Sequence, residues 1–118
     1  MDAAQALADL TEISSQVEAA VLFDEGGAVA ASTLADDAAA ALASAAGRLL
    51  ERAGANATQV EAATPTGSVF VVREGTRRIA ATTAADPTTG LVFYDLKSAL
   101  RGAEPPKRRR TKKAADEA

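Results

Sequence analysis

Apolar and polar positions alternate in two rhythms along the 118-residue chain, and the changes of rhythm mark out its elements. Leu7, Leu10 and Ile13 recur every three residues behind Asp2, a residue suited to an N-cap, with Gln5 at the matching capping-box position. That spacing predicts a first helix over Ala3–Ser15. From Val17 to Phe23 the period shortens to two: Val17, Ala19, Val21 and Phe23 share one face, while Ala20 and Leu22 share the other with Glu18. Asp24-Glu25-Gly26-Gly27 is a turn, and Ala28–Ser32 resumes an extended pattern, which makes a hairpin. Thr33-x-x-Asp36 has the form of a second capping box, and the helical period returns over Ala35–Ala53 until Gly54 stops it. Two apolar stripes run along this second helix. One is Ala38, Leu42, Ala45, Leu49 and Ala53; the other is Ala39, Ala43, Ala46 and Leu50. A helix apolar on two sides predicts two packing partners. Strands over Gln59–Thr64, Ser68–Arg73 and Arg77–Thr83 follow, separated by turns at Pro65-Thr66-Gly67 and Glu74-Gly75-Thr76. In the middle strand Val69 and Val71 oppose Phe70 and Val72, so both faces of the sheet need cover. Asp86-Pro87 breaks the pattern. Thr88 or Thr89 caps a last helix through Val92, Leu96, Ala99 and Leu100, ended by Gly102 and Pro105-Pro106. The order is helix-strand-strand-helix-strand-strand-strand-helix, an α+β class.

Composition changes this picture in one respect. Alanine supplies 31 residues, and Leu, Ile, Val and Phe together supply 23, none of them after Leu100. These large apolar residues are about 19% of the chain, near the level at which disorder becomes a live reading if net charge is high. The net charge is −3, so a single folded domain is expected. A domain this small buries roughly 65% of its unfolded-chain surface, and pairing with a second subunit would add to that. The charge is unevenly placed: residues 1–101 carry a net −6, while the segment 102–118 contains six basic and three acidic residues. The expected organisation is therefore an acidic domain, 1–101, with a basic and disordered tail, 102–118.

The absences narrow the chemistry. The sequence has no Cys and no His, which removes disulfides, thiolate zinc sites, cysteine nucleophiles, imidazole bases and the Ser-His-Asp triad. Met1-Asp2-Ala3-Ala4-Gln5 lacks a signal peptide's basic region, and no apolar run approaches the ~20 residues of a membrane span, so a cytoplasmic protein is expected. Gly26-Gly27 precedes a strand rather than a helix, and neither phosphate-loop spacing is present. Asp24-Glu25 and Asp36-Asp37 read as a solvated turn and a helix N-terminus rather than a magnesium site. Arg73, Arg77 and Arg78 read as strand-edge charge rather than as an arginine finger for a partner's nucleotide. No catalytic residue, cofactor site or metal site is predicted.

The order of elements, carried on Val17-Glu18-Ala19-Ala20-Val21-Leu22-Phe23-Asp24-Glu25-Gly26-Gly27, on Ala28-Val29-Ala30-Ala31-Ser32-Thr33, and on Ala80-Ala81-Thr82-Thr83 with Gly90-Leu91-Val92-Phe93-Tyr94-Asp95-Leu96, resembles the Roadblock (dynein light-chain Roadblock) family and its bacterial polarity-regulator branch. The resemblance covers residues 3–101. It implies a five-stranded antiparallel sheet with the long second helix on one face and the first and last helices on the other. It further implies a homodimer, with third strands paired edge to edge and second helices side by side, acting as a platform for a Ras-like small GTPase or as an assembly adaptor. On that basis the small-residue stripe Ala39, Ala43, Ala46 and Leu50, with the strand residues Gln59, Val60, Glu61 and Ala62, is the expected dimer interface. Alanine's high helix propensity is the competing explanation of the stripe.

Two functions from different classes follow. The first is a non-catalytic scaffold that docks a Ras-like GTPase and modulates its nucleotide cycle or localisation. The second is a dimer that binds nucleic acid or an anionic membrane surface through Lys107, Arg108, Arg109, Arg110, Lys112 and Lys113. The tail has no aromatic residue to stack on bases and no apolar anchor, so a solubilising role stands beside the binding one.

Overall fold

A computed structural model describes residues 1–103. The elements are α1 (Ala3–Ile13), β1 (Val17–Asp24), β2 (Val29–Ser32), α2 (Asp36–Ala53), β3 (Gln59–Thr64), β4 (Gly67–Glu74), β5 (Arg77–Ala84) and α3 (Thr89–Gly102), the order expected from the sequence. The strands form one antiparallel sheet in the order β2-β1-β5-β4-β3, so β5 is central, paired with β1 on one side and β4 on the other. Helix α2 covers one face and α1 and α3 cover the other, giving two separate apolar layers.

The layers differ in how they divide volume. On the α1–α3 side, small sheet residues Ala20 and Ala81 sit among Phe70, Val72 and Ile79, and the helices contribute Leu7, Leu10, Val92, Phe93, Leu96 and Leu100. Phe70 and Phe93 meet edge to face at 5.0 Å and 75°, an arrangement worth about 0.5–1.5 kcal/mol beyond burial alone. On the α2 side the sheet supplies Val21, Phe23, Val71 and Ala80, and the helix answers with Ala39, Ala43, Ala46 and Leu50. The sheet already fills that space, so the facing helix must be small for the layers to reach interior packing density.

Several local expectations are corrected. Residues Val17 and Ala20 lie in the same layer, because the β1–β5 pairing shifts between Val17 and Ala19; this β-bulge breaks the period-two phase. Helix α1 ends at Ile13, two residues early, where the Ser14 N–H closes onto the Leu10 carbonyl. The second capping box does not form. Ala35 is the N-cap of α2 and makes no side-chain cap bond, while the Thr33 hydroxyl accepts from the Ala20 N–H at 2.9 Å and so ties the helix entry to β1. At α1 the cap is present, with the Asp2 carboxylate accepting from the Gln5 N–H at 2.8 Å, but the Gln5 side chain reaches forward to Asp9 instead of back. Gly67, at the start of β4, is where a Cβ would lie 2.4 Å from the Thr83 carbonyl oxygen, so the strand pairing there depends on glycine.

Candidate interaction surfaces

The stripe expected to form the dimer interface is turned the other way. Ala39, Ala43, Ala46 and Leu50 are each no more than 3% exposed, because they pack onto the chain's own sheet. They are core residues and cannot also present themselves to a second subunit. At 100° per residue, the second stripe named in the sequence lies on a flank roughly a quarter-turn or more away. Ala38 is exposed there, and Leu42, Ala45 and Leu49 are half-buried. Leu42 and Leu49 rim the α2 layer together with Val60 of β3 and Val69 of β4.

Strand β3 lies at the edge of the sheet, paired with β4 from Gln59↔Val72 to Thr64↔Gly67 and with no strand on its outer side among the described residues. Val60 and Ala62 are half-buried, while Gln59 and Glu61 are exposed. Glu61 accepts from the Thr89 hydroxyl, which ties the edge strand to the start of α3. The structure thus brings Gln59, Val60, Glu61 and Ala62 to an open edge and places a half-exposed apolar flank of α2 in the same layer as Val60. The sequence held both stripes but no signal for which faced inward; the large side chains Val21, Phe23 and Val71 beneath the helix decide it.

The opposite flank of α2 borders a groove of about 560 Å³ between the helix and the β1–β2 turn. The turn is built by Asp24, whose carboxylate accepts from the N–H groups of Gly26 and Ala28, and Gly27 supplies φ = 89°. Asp24 is thereby committed to the turn. Two arginines read as surface charge from the sequence prove to hold backbone carbonyls, Arg73 those of the α2–β3 loop and Arg77 those at the end of α3. Arg73 donates to the carbonyls of Gly54, Ala55 and Ala57 just beyond α2. Arg77 donates to the carbonyls of Leu100 and Ala103 at the end of α3. Arg73 thus ties the α2–β3 loop to β4, while Arg77 places a cation where the last carbonyls of α3 lack partners. Arg101 forms an ion pair with Glu74 at 2.6 Å, and the hydrogen bond and charge of that carboxylate raise its pKa above the ordinary value. No helix among the described residues is long and apolar enough to cross a membrane. Lys107, Arg108, Arg109, Arg110, Lys112 and Lys113 lie outside the described residues.

The sheet order, the two-sided helix cover and the placement of β3 at an edge define a Roadblock/LC7 fold. The chain is similar to a Roadblock/LC7 domain from Streptomyces avermitilis, with a TM-score of 0.77 and 18% identity over 86% of this chain and 93% of that one. It is also similar to Myxococcus xanthus MglB, with a TM-score of 0.59 and 14% identity over 84% and 79% of the two chains. The gliding protein MglB of Thermus thermophilus is similar at a TM-score of 0.57 and 19% identity, over 80% and 82%. No protein-family model and no curated protein matches the sequence.

Proposed function

We propose that this chain is a non-catalytic homodimeric scaffold that docks a Ras-like small GTPase in the cytoplasm and modulates its nucleotide cycle or its localisation. The observation that carries the reading is the half-exposed flank Leu42, Ala45 and Leu49 in a layer that ends at the unpaired edge of β3. The dimer surface is assigned to Ala38, Leu42, Ala45 and Leu49 together with Gln59, Val60, Glu61 and Ala62. Two such edges joined antiparallel would continue the sheet through both subunits and cover apolar area that a small domain leaves open. The GTPase supplies the nucleotide and its Mg²⁺. The scaffold acts by favouring one arrangement of the GTPase's switch loops, which requires different affinities for the GTP and GDP states.

Light scattering should give about twice the 12.0 kDa chain mass, and Leu42→Glu should return the protein to one chain mass with its fold intact. The dimer, mixed with a Ras-like GTPase encoded beside it and loaded in turn with GTP and GDP, should form a complex with one state in preference to the other. Absence of a complex with either state refutes the GTPase assignment, and a stable monomer refutes the dimer.

A further inference from the structure

Arg73 and Arg78 stand directly opposite each other on neighbouring strands β4 and β5. Both lie on the α2 side of the sheet, each two residues along its strand from a member of that layer, Val71 and Ala80. The Arg73 N–H donates to the Thr58 carbonyl at 2.8 Å, so the backbone groups of Arg73 point toward β3 and away from β5. Arg73↔Arg78 is therefore a non-hydrogen-bonded pair, the closer of the two kinds, with Cα atoms about 4.5 Å apart. Like charges placed opposite each other in this way destabilise a sheet. Both residues are half-buried, and among the described residues neither has a carboxylate within ion-pair reach.

The two guanidiniums are held unequally. Arg73 is fixed: its Nε donates to the Ala57 carbonyl at 3.0 Å and its Nη2 to those of Gly54 and Ala55 at 2.9 and 3.0 Å, which leaves Nη1 unused. Arg78 donates from Nη1 alone, to the Gly75 carbonyl at 3.3 Å, which leaves Nε and Nη2 unused. Both arginines line a hollow of about 580 Å³ walled by the α2–β3 loop, including Thr58, and by the β4–β5 turn. The one carboxylate on this hollow is Glu74, and Arg101 holds it. The adjoining groove along α2, which the same arginines border, adds Arg48 and the carboxylates Asp24, Glu25 and Glu51; Asp24 is committed to its turn. A carboxylate ligand is planar, carries one charge and suits a single guanidinium fork. Two forks on neighbouring strands suit a tetrahedral dianion with three or more acceptor oxygens. We propose that Arg73 and Arg78 bind a phosphate group in this hollow, as inorganic phosphate or as the end of a small phosphate monoester. The anion accepts from the unused donors of both guanidiniums and offsets the repulsion between them.

The test is an NMR titration of the isotope-labelled full chain with inorganic phosphate and, separately, with phosphoserine, at an ionic strength held constant with sodium chloride. The Nε–H signals of Arg73 and Arg78 and the amides of Thr58 and Gly75 should shift together along one saturable curve. A tighter curve for phosphoserine identifies an ester as the ligand, and equal curves identify the phosphate group alone; either result supports the site. Arg78→Gln should weaken binding by about tenfold or more, the effect of losing charge-assisted hydrogen bonds. Arg48→Gln, in the adjoining groove, should leave the curve unchanged. Shifts that never saturate, that acetate reproduces at the same concentrations, or that survive Arg78→Gln overturn the proposal. If Arg78→Gln fails to fold, the comparison of phosphate with acetate on the parent sequence decides.

Discussion

Enlarging Ala46 separates a core role from an interface role for the α2 stripe. Ala46 is completely buried beneath Val21, Val71 and Ala80. Ala46→Leu adds three carbons, which at about 0.8 kcal/mol each would stabilise the fold by ~2.4 kcal/mol if space existed. The layer holds no such space, so the helix must lift or the sheet must bend, and overpacking of this kind costs about 1–3 kcal/mol. For a domain of this size each kcal/mol moves the thermal midpoint by about 4–8 °C, so a fall of roughly 5–20 °C is expected. Thermal unfolding followed by circular dichroism at protein concentrations from micromolar to hundreds of micromolar is the assay. The loss should be present at every concentration, including those at which the protein is monomeric, since the damage is within one chain. Leu42→Glu, on the other flank, should instead abolish the rise of midpoint with concentration that a dimer shows. An Ala46→Leu protein that keeps the parent midpoint as a monomer and merely fails to associate would falsify the orientation of α2 described above.

Other perturbations test the remaining assignments. Arg73→Ala removes the side-chain donor shared by the carbonyls of Gly54, Ala55 and Ala57 and should cost about 1–3 kcal/mol in urea unfolding, with hydrogen exchange quickening first in the α2–β3 loop. If the loss is below a few tenths of a kcal/mol, the residue is ordinary surface charge. Gly67→Ala drives a methyl group against the Thr83 carbonyl and should destabilise by about 1–3 kcal/mol, with amide shifts confined to the β4–β5 pairing. Asp2→Ala removes the bond to the Gln5 N–H and should cost about 0.5–2 kcal/mol, read as fraying of α1.

Much of this architecture was legible in residue order because it rests on local rules. The period-two run around Phe70, the turns at Asp24–Gly27 and Glu74–Thr76, and the bounds of β3 at Gln59–Thr64 each follow from a few adjacent side chains. The bulge after Val17 was hidden, because a one-residue shift in pairing depends on the partner strand. The roles of Arg73 and Arg77 in holding backbone carbonyls were hidden for a similar reason: their acceptors lie 16 to 26 residues away in sequence. Helix α2 shows the division most clearly. Its length, its stop at Gly54 and its two apolar stripes are properties of the chain alone, since propensity and periodicity are local. Which stripe is core and which is surface was settled by volume. Phe23, Val21 and Val71 fill most of the space between sheet and helix, so the stripe with three alanines and a single large residue, Leu50, turns inward and Leu42 and Leu49 are left at the rim.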